Sequence, residues 1–283
     1  MDLRRWRLGV GRSRWRRAGA ATLLALACGA AGAQHRDDRH WLHVAAYWPN
    51  IASYASADWL ATGQPGTVIN FESELGLADR KVLPWFQLGT RLGEHWRVEL
   101  EYFALNRSGQ RTITRDLVWD DTVFPANASV ASTFDSDILR LSAGWSFVHT
   151  ERLEVGAVLG LHMTRFRIAL QADLTVSALA SETRVESDDA LLPLPTIGLY
   201  GKYDFTRSWS VFGHVDYFSL TTGSYEGGLV NAMAGVGWRI NDRFGLQLGY
   251  RYVDYSLGIT RSDWRGSVDY RFSGPYLSFQ LGF

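Results

Sequence analysis

The chain is poor in the features that usually narrow a function quickly. It has one cysteine, Cys28, so an internal disulfide or a multi-thiolate metal site is excluded. Beyond residue 33 no segment approaches the ~20 consecutive apolar residues that a membrane-crossing helix requires. Charge is balanced at 29 basic and 29 acidic residues. Setting aside the seven arginines and single acid of the first 33 residues leaves 22 basic against 28 acidic. That mild acidity excludes nucleic acid as the expected partner.

The first 33 residues have the layout of a secretory signal peptide. An Arg-rich head precedes the apolar core "AGAATLLALAC" at 18 to 28, and Ala31-Gly32-Ala33 fits a small-x-small cleavage site. Cleavage there removes Cys28 and leaves residues 34 to 283 as one domain. Arg16-Arg17 lacks the serine, phenylalanine and lysine context of a twin-arginine signal. Ala25, three before Cys28, departs from a lipoprotein signal.

What the rest of the chain has in abundance is two-residue alternation. In "GLVNAMAGVGWRI", Val230, Ala232, Ala234, Val236, Trp238 and Ile240 share one face. "FGLQLGYRY" repeats the pattern, and Asn241-Asp242-Arg243 joins the two as a short turn. "HTER", "TRS" and "GEH" separate three further pairs, while "WLHVAAYW" and a segment ending "YLSFQLGF" complete about ten strands, with eight or twelve as alternatives. The other connections, roughly 52 to 80, 114 to 131, 173 to 190, 221 to 227 and 258 to 263, are polar and are expected to be long loops.

Aromatic residues set the polarity of these strands. Trp96, Trp209, Tyr203 and Trp238 lie on apolar faces near the short turns; Tyr102, Tyr217, Tyr250 and Tyr252 lie on the same faces toward the long connections. Eight residues separate Trp209 from Tyr217, about 27 Å of strand, close to the ~25 Å apolar band of a membrane barrel. Two rows of amphipathic rings suit two membrane interfaces. The fold class expected is therefore all-β: a transmembrane, antiparallel, up-and-down β-barrel.

With its final alternation of Leu277, Phe279, Leu281 and Phe283, the chain resembles small Gram-negative outer-membrane β-barrel proteins. The resemblance spans residues 40 to 283 and is generic. It implies residence in the bacterial outer membrane, with both barrel ends in the periplasm. It also implies contact with outer-membrane lipids and lipopolysaccharide. Phe279, Leu281 and Phe283 would then form the signal read by the barrel-assembly machinery.

If the apolar faces meet lipid, the opposite faces line a lumen. They carry Arg97, Glu99, Glu101, Arg140, His162, Lys202, Asp204, His214, Asp216, Arg239, Arg251, Asp269 and Arg271. Mixed signs in near balance fit an internal ion-pair network, hence a non-enzymatic structural or surface-binding barrel. The alternative is a narrow diffusion pore whose charges set selectivity. Lumen-side glycines such as Gly89, Gly144, Gly156 and Gly249 either leave room or let Trp85, Phe212 and Tyr200 pack. A second alternative, a lipid or peptide hydrolase, rests on His214 and Asp216 sharing a face, as an oriented general base needs. Ser210, about 13 Å from His214 along the strand, is too far to complete a triad. His43 and His162 also face inward with His214, but separate strands supply no metal-ligand spacing. No cofactor is expected. Acidic clusters at Glu72, Glu74 and Asp79, at Asp116, Asp120 and Asp121, and at Glu182, Glu186, Asp188 and Asp189 could hold divalent cations, although none has EF-hand spacing.

One irregularity is expected near the end. Tyr270 and Phe272 share the lipid face with Leu277 only if parity shifts between them. Ser273-Gly274-Pro275 would then form a β-bulge.

Overall fold

The computed structural model describes residues 38–59, 66–119, 122–177, 180–260, 262 and 264–283; the expected signal peptide, Asp120 and Asp121 lie outside them. The strands are β1 (His40–Tyr47), β2 (Asn50–Trp59), β3 (Ile69–Asn70), β4 (Leu83–Leu92), β5 (Trp96–Thr112), β6 (Leu117–Trp119) and β7 (Thr122–Phe124). They continue with β8 (Ser129–His149), β9 (Leu153–Ser177), β10 (Ala180–Asp204), β11 (Trp209–Thr222), β12 (Tyr225–Arg239), β13 (Phe244–Thr260) and β14 (Trp264–Gly282). Ten antiparallel staves close into one ring, in the order β1, β4, β5, β8, β9, β10, β11, β12, β13, β14 and back to β1. Closure matters because backbone N–H and C=O groups facing lipid have no water to bond.

β1 and β2 occupy one lane. β14 pairs with β1 from Trp41↔Gly282 to Tyr47↔Tyr276, then with β2 from Asn50↔Ser273 to Trp59↔Trp264. Trp48 and Pro49 interrupt that lane, and Trp48 N–H donates to the Pro275 carbonyl at 3.0 Å. A strand residue points its N–H and C=O to the same side, so the N–H that Pro275 lacks falls on the interruption, where no ladder partner is wanted. A Cβ on Gly274 would overlap the Trp48 carbonyl, which makes glycine necessary there.

The expected bulge at 273–275 is absent. Against β13 the register runs unbroken from Phe244↔Leu281 to Thr260↔Arg265. The break lies in the opposite lane instead, and parity does not shift. Tyr270 and Phe272 consequently point inward with Tyr276, fully buried, rather than toward lipid.

The ring is inside-out compared with a water-soluble barrel. Val44, Phe86, Leu88, Leu100, Leu141, Leu159, Leu199 and Leu248 are exposed on the outer face, while Glu99, Glu101, Arg140, His162 and Asp216 are buried within. A contiguous apolar exterior on this scale is the mark of a lipid-facing surface. Trp96, Trp209, Tyr203, Trp238, Tyr102, Tyr217 and Tyr250 are all exposed on that exterior, and Tyr252 is half-buried. Trp209 and Trp238, opposite each other on β11 and β12, stack with centroids 6.0 Å apart.

In three of the expected long loops the described residues are largely strand instead. β9 and β10 pair from Leu153↔Tyr203 up to Ser177↔Ala180. β11 and β12 pair up to Thr222↔Tyr225, and β13 and β14 up to Thr260↔Arg265. β10 pairs with β11 only as far as Ile197↔Tyr217, so the upper β9–β10 hairpin rises beyond its β11 neighbour. The two real excursions link β2 to β4 and β5 to β8. From them Phe71, Leu75, Leu77, Leu117, Trp119 and Phe124 are buried as a cap. Phe71 meets Trp119 edge-on at 6.3 Å and Phe134 of the inner wall at 5.1 Å.

Candidate functional site: the layered lumen

Strand alternation sends every second residue of each stave inward, and the inward residues sort by height into layers. At mid-height the organising group is Asp216 on β11. Its Oδ2 accepts from Arg140 Nε at 2.8 Å and from Asn231 Nδ2 at 3.1 Å; its Oδ1 accepts from Arg140 Nη2 at 3.2 Å. His214 Nε2 lies 2.7 Å from Asp216 Oδ1 and 2.8 Å from Arg140 Nη2, so its tautomer decides which of the two it serves. His162 Nε2 stands 3.5 Å from Oδ2.

The network crosses the lumen. Asn231 Oδ1 accepts from Arg251 Nε at 3.0 Å, and Arg251 Nη2 donates to Glu101 Oε1 at 2.6 Å. The Arg251 guanidinium also lies 5.3 Å from the Trp85 ring centre and 5.0 Å from that of Phe103. On the other side Arg140 Nη1 approaches Glu99 Oε2 at 4.0 Å, and Glu99 pairs with Arg97. Side chains of β5, β8, β11, β12 and β13 are thereby tied across the barrel. Buried charges persist only when paired and hydrogen-bonded in this way.

Aromatic rings pack against this layer and above it. Tyr47, Trp85, Phe103, Tyr255, Tyr270, Phe272 and Tyr276 are each at most 2% exposed. Trp85 and Tyr276 meet edge-on at 5.1 Å, Phe103 and Phe272 at 5.8 Å, and Tyr255 stacks on Phe272 at 6.3 Å. Higher still, Arg107 pairs with Glu72 of the cap and donates to Ser53 Oγ at 2.8 Å. The ring of Phe134 lies 5.2 Å from the Arg107 guanidinium.

Below the network the lumen opens into a vestibule at the short-turn end. Arg91 Nη2 pairs with Glu154 Oε2 at 3.0 Å, and Ser146 Oγ donates to Glu154 at 2.6 Å. Ser146 Oγ also lies 2.8 Å from Tyr200 OH. The Arg97 guanidinium sits between the rings of Tyr200 and Trp41, at 4.4 and 5.4 Å. Lys202 pairs with Asp204 at 3.2 Å and Arg239 with Asp38 at 3.4 Å. A Cβ on Gly156 would overlap Tyr200, and one on Gly249 would overlap Tyr276. These glycines admit bulky rings rather than leave space.

The sequence-derived lumen set therefore divides. Arg97, Glu99, Glu101, Arg140, His162, Lys202, Asp204, His214, Asp216, Arg239 and Arg251 belong to the lumen network or the vestibule. Asp269 and Arg271 do not: both are exposed on the outer face, and Arg271 Nη2 pairs there with Asp254 at 2.8 Å. The unshifted parity of β14 is the reason. Asn231, the junction between Asp216 and Arg251, escaped the sequence reading because it is uncharged. Arg91, Glu154 and Ser146 were missed because they lie beside the short turns; only their inward parity could have marked them. The outer face carries further polar contacts above the upper aromatic row: Arg167 pairs with Asp137, and Tyr252 OH donates to Asp254 at 2.7 Å.

Of the acidic clusters, Glu72 and Glu74 are taken up by Arg107 and Arg115. Asp116 accepts from the Ala126 N–H at 2.7 Å. The side chains of residues 182 to 189 lie outside the described ones. Among the described residues no three His, Cys, Asp or Glu side chains gather as a metal site, the three inward histidines included.

No protein-family model matches the chain, and no curated protein matches it either. Among solved structures, it is similar to the outer membrane protease OmpT of Escherichia coli, with a TM-score of 0.55 and 11% identity over 86% of this chain and 97% of that one. The toluene transporter TodX of Pseudomonas putida aligns over 88% and 91% at 10% identity, with a TM-score of only 0.34. The attachment invasion locus protein Ail of Yersinia pestis aligns over 84% and 99% at 8% identity, with a TM-score of 0.29. At such identities the OmpT likeness is one of fold, and the other two carry no argument. What this chain shares with OmpT is the closed antiparallel β-barrel.

Proposed function

We propose that the chain is an integral outer-membrane barrel with a closed lumen, acting as a structural or surface-binding element rather than as a channel or an enzyme. The observation that carries this reading is the continuous blockage at mid-height. The Asp216 network ties five strands across the lumen, and buried aromatic rings pack against it.

Outer-membrane residence is supported by the apolar exterior, the two aromatic rows and the shared fold. In that setting the four short turns and both barrel ends face the periplasm, while the cap and tall hairpins face outward. The outward pairs Arg271–Asp254 and Arg167–Asp137 support a boundary with lipid headgroups, lipopolysaccharide among them. Phe279 and Phe283, exposed on the lower outer face, support recognition by the assembly machinery.

The test is single-channel conductance of refolded protein in planar bilayers, with heat-modifiable gel mobility as the check on folding. A folded protein that gives no discrete steps is the expected result; reproducible steps would replace this reading with the diffusion pore. For the hydrolase alternative, lipid composition of cells expressing the protein or its His214→Ala variant is expected to be the same. A lipid change that depends on His214 would restore that alternative.

A further inference from the structure

The vestibule is a dead-ended cavity of about 180 Å³, open between the short turns. Liquid water takes ~30 Å³ per molecule, so the space suits a small solute. Its charges do not cancel. Arg91–Glu154, Arg97–Glu99, Lys202–Asp204 and Arg239–Asp38 are each neutral as pairs. Arg140 answers Asp216, which is buried behind the lining. Arg207 and Arg243 also line the cavity, from the turns at its mouth, and neither makes an ion pair with a described acid. The balance is positive, and it is greatest at the entrance, where it would draw an anion inward.

The floor is built to receive that charge. His43 on β1 is buried and lines the cavity, and its Nδ1 has no hydrogen-bond partner; unsatisfied buried polar atoms are rare enough to call for a cause. The Arg97 guanidinium is held against the rings of Trp41 and Tyr200. Asp216 fixes the Nε and Nη2 edge of Arg140, leaving Nη1 with no hydrogen bond and Glu99 at 4.0 Å. Glu99 faces the same floor, with Arg97 and Arg140 flanking it to take up its charge. Planar, pre-oriented guanidinium groups suit carboxylate and phosphate oxygens, and rigidity lowers the entropic cost of binding.

We propose that the vestibule binds a small soluble anion bearing a phosphate or carboxylate group, received by Arg97, Arg140 and His43 and drawn in by Arg207 and Arg243. This site does not depend on whether the lumen conducts. A conducting barrel would overturn the closed-lumen reading and leave the vestibule proposal standing or falling on its own test.

That test is calorimetric titration of the refolded protein, in zwitterionic detergent at low salt, with inorganic phosphate and separately with succinate. Saturable binding of at least one is expected, weakened roughly tenfold or more by His43→Ala. Arg207→Gln/Arg243→Gln is expected to weaken it about two- to fivefold and to flatten its salt dependence. Absence of saturable heat with both anions overturns the proposal, as does equal binding of chloride. Should His43→Ala fail the gel-mobility check, the exposed double variant decides alone, and unchanged affinity and salt dependence in it overturn the proposal.

Discussion

The lower and upper halves of the lumen are lined by the same staves with the same alternation, yet they bury their side chains by opposite means. The upper half is filled by aromatic rings under a cap, and its few charges, such as Arg107, are fully enclosed. The lower half is lined by paired charges around an open cavity. The difference tracks access to water. Where the vestibule admits solvent, charges keep part of their hydration and cost little; where cap and rings exclude it, apolar contact does the filling. Asp216 sits at the boundary, buried completely yet joined to four neighbours.

That boundary is where the comparison breaks most readily. Asp216→Ala leaves Arg140 buried without its carboxylate and is expected to cost about 3–5 kcal/mol, read as a lower denaturant midpoint in lipid vesicles. Arg140→Met added to Asp216→Ala is expected to recover part of the loss, since the stranded charge is then removed as well. An additive double variant would mean that the two residues act independently. Gly156→Ala is expected to cost about 1–3 kcal/mol through collision with Tyr200, measured the same way. In Tyr200→Phe the loss should be about 1 kcal/mol, the contribution of its hydroxyl contact with Ser146. The smallest effect belongs outside the lumen. Arg271→Ala, at an exposed pair, should change stability by less than about 1 kcal/mol; a larger loss would argue that the outer face above the aromatic rows is not solvent-like.

The same contrast explains which parts of the fold were legible in the sequence. Between the aromatic rows lipid outside and charge inside force strict alternation, so the staves, the lipid face and residues such as Arg140, Asp216 and Arg251 could be read directly. Above the upper row both faces meet polar surroundings, and the alternation fades. "SETRVESDDA" therefore read as a loop although it lies within β10. Tyr270 and Phe272 misled for a related reason. They are apolar and aromatic, yet they fill the lumen beneath the cap, and assigning them to lipid required a bulge that the strand does not have. Asp269 and Arg271 were then assigned inward by the same slip. The cap was invisible because Phe71 of one excursion packs on Trp119 of the other and on Phe134 of the inner wall, both far from it in sequence.

The central claim is that the lumen is open at the short-turn end and sealed above it. Gln247 lines the vestibule, and Cys28→Ser supplies a background without other cysteines. Gln247→Cys in oriented proteoliposomes, exposed to a membrane-impermeant maleimide from one face at a time, tests the claim directly. Labelling from the short-turn face alone is the predicted result. Labelling from the cap face as well would mean that the aromatic layer and the Asp216 network do not close the barrel.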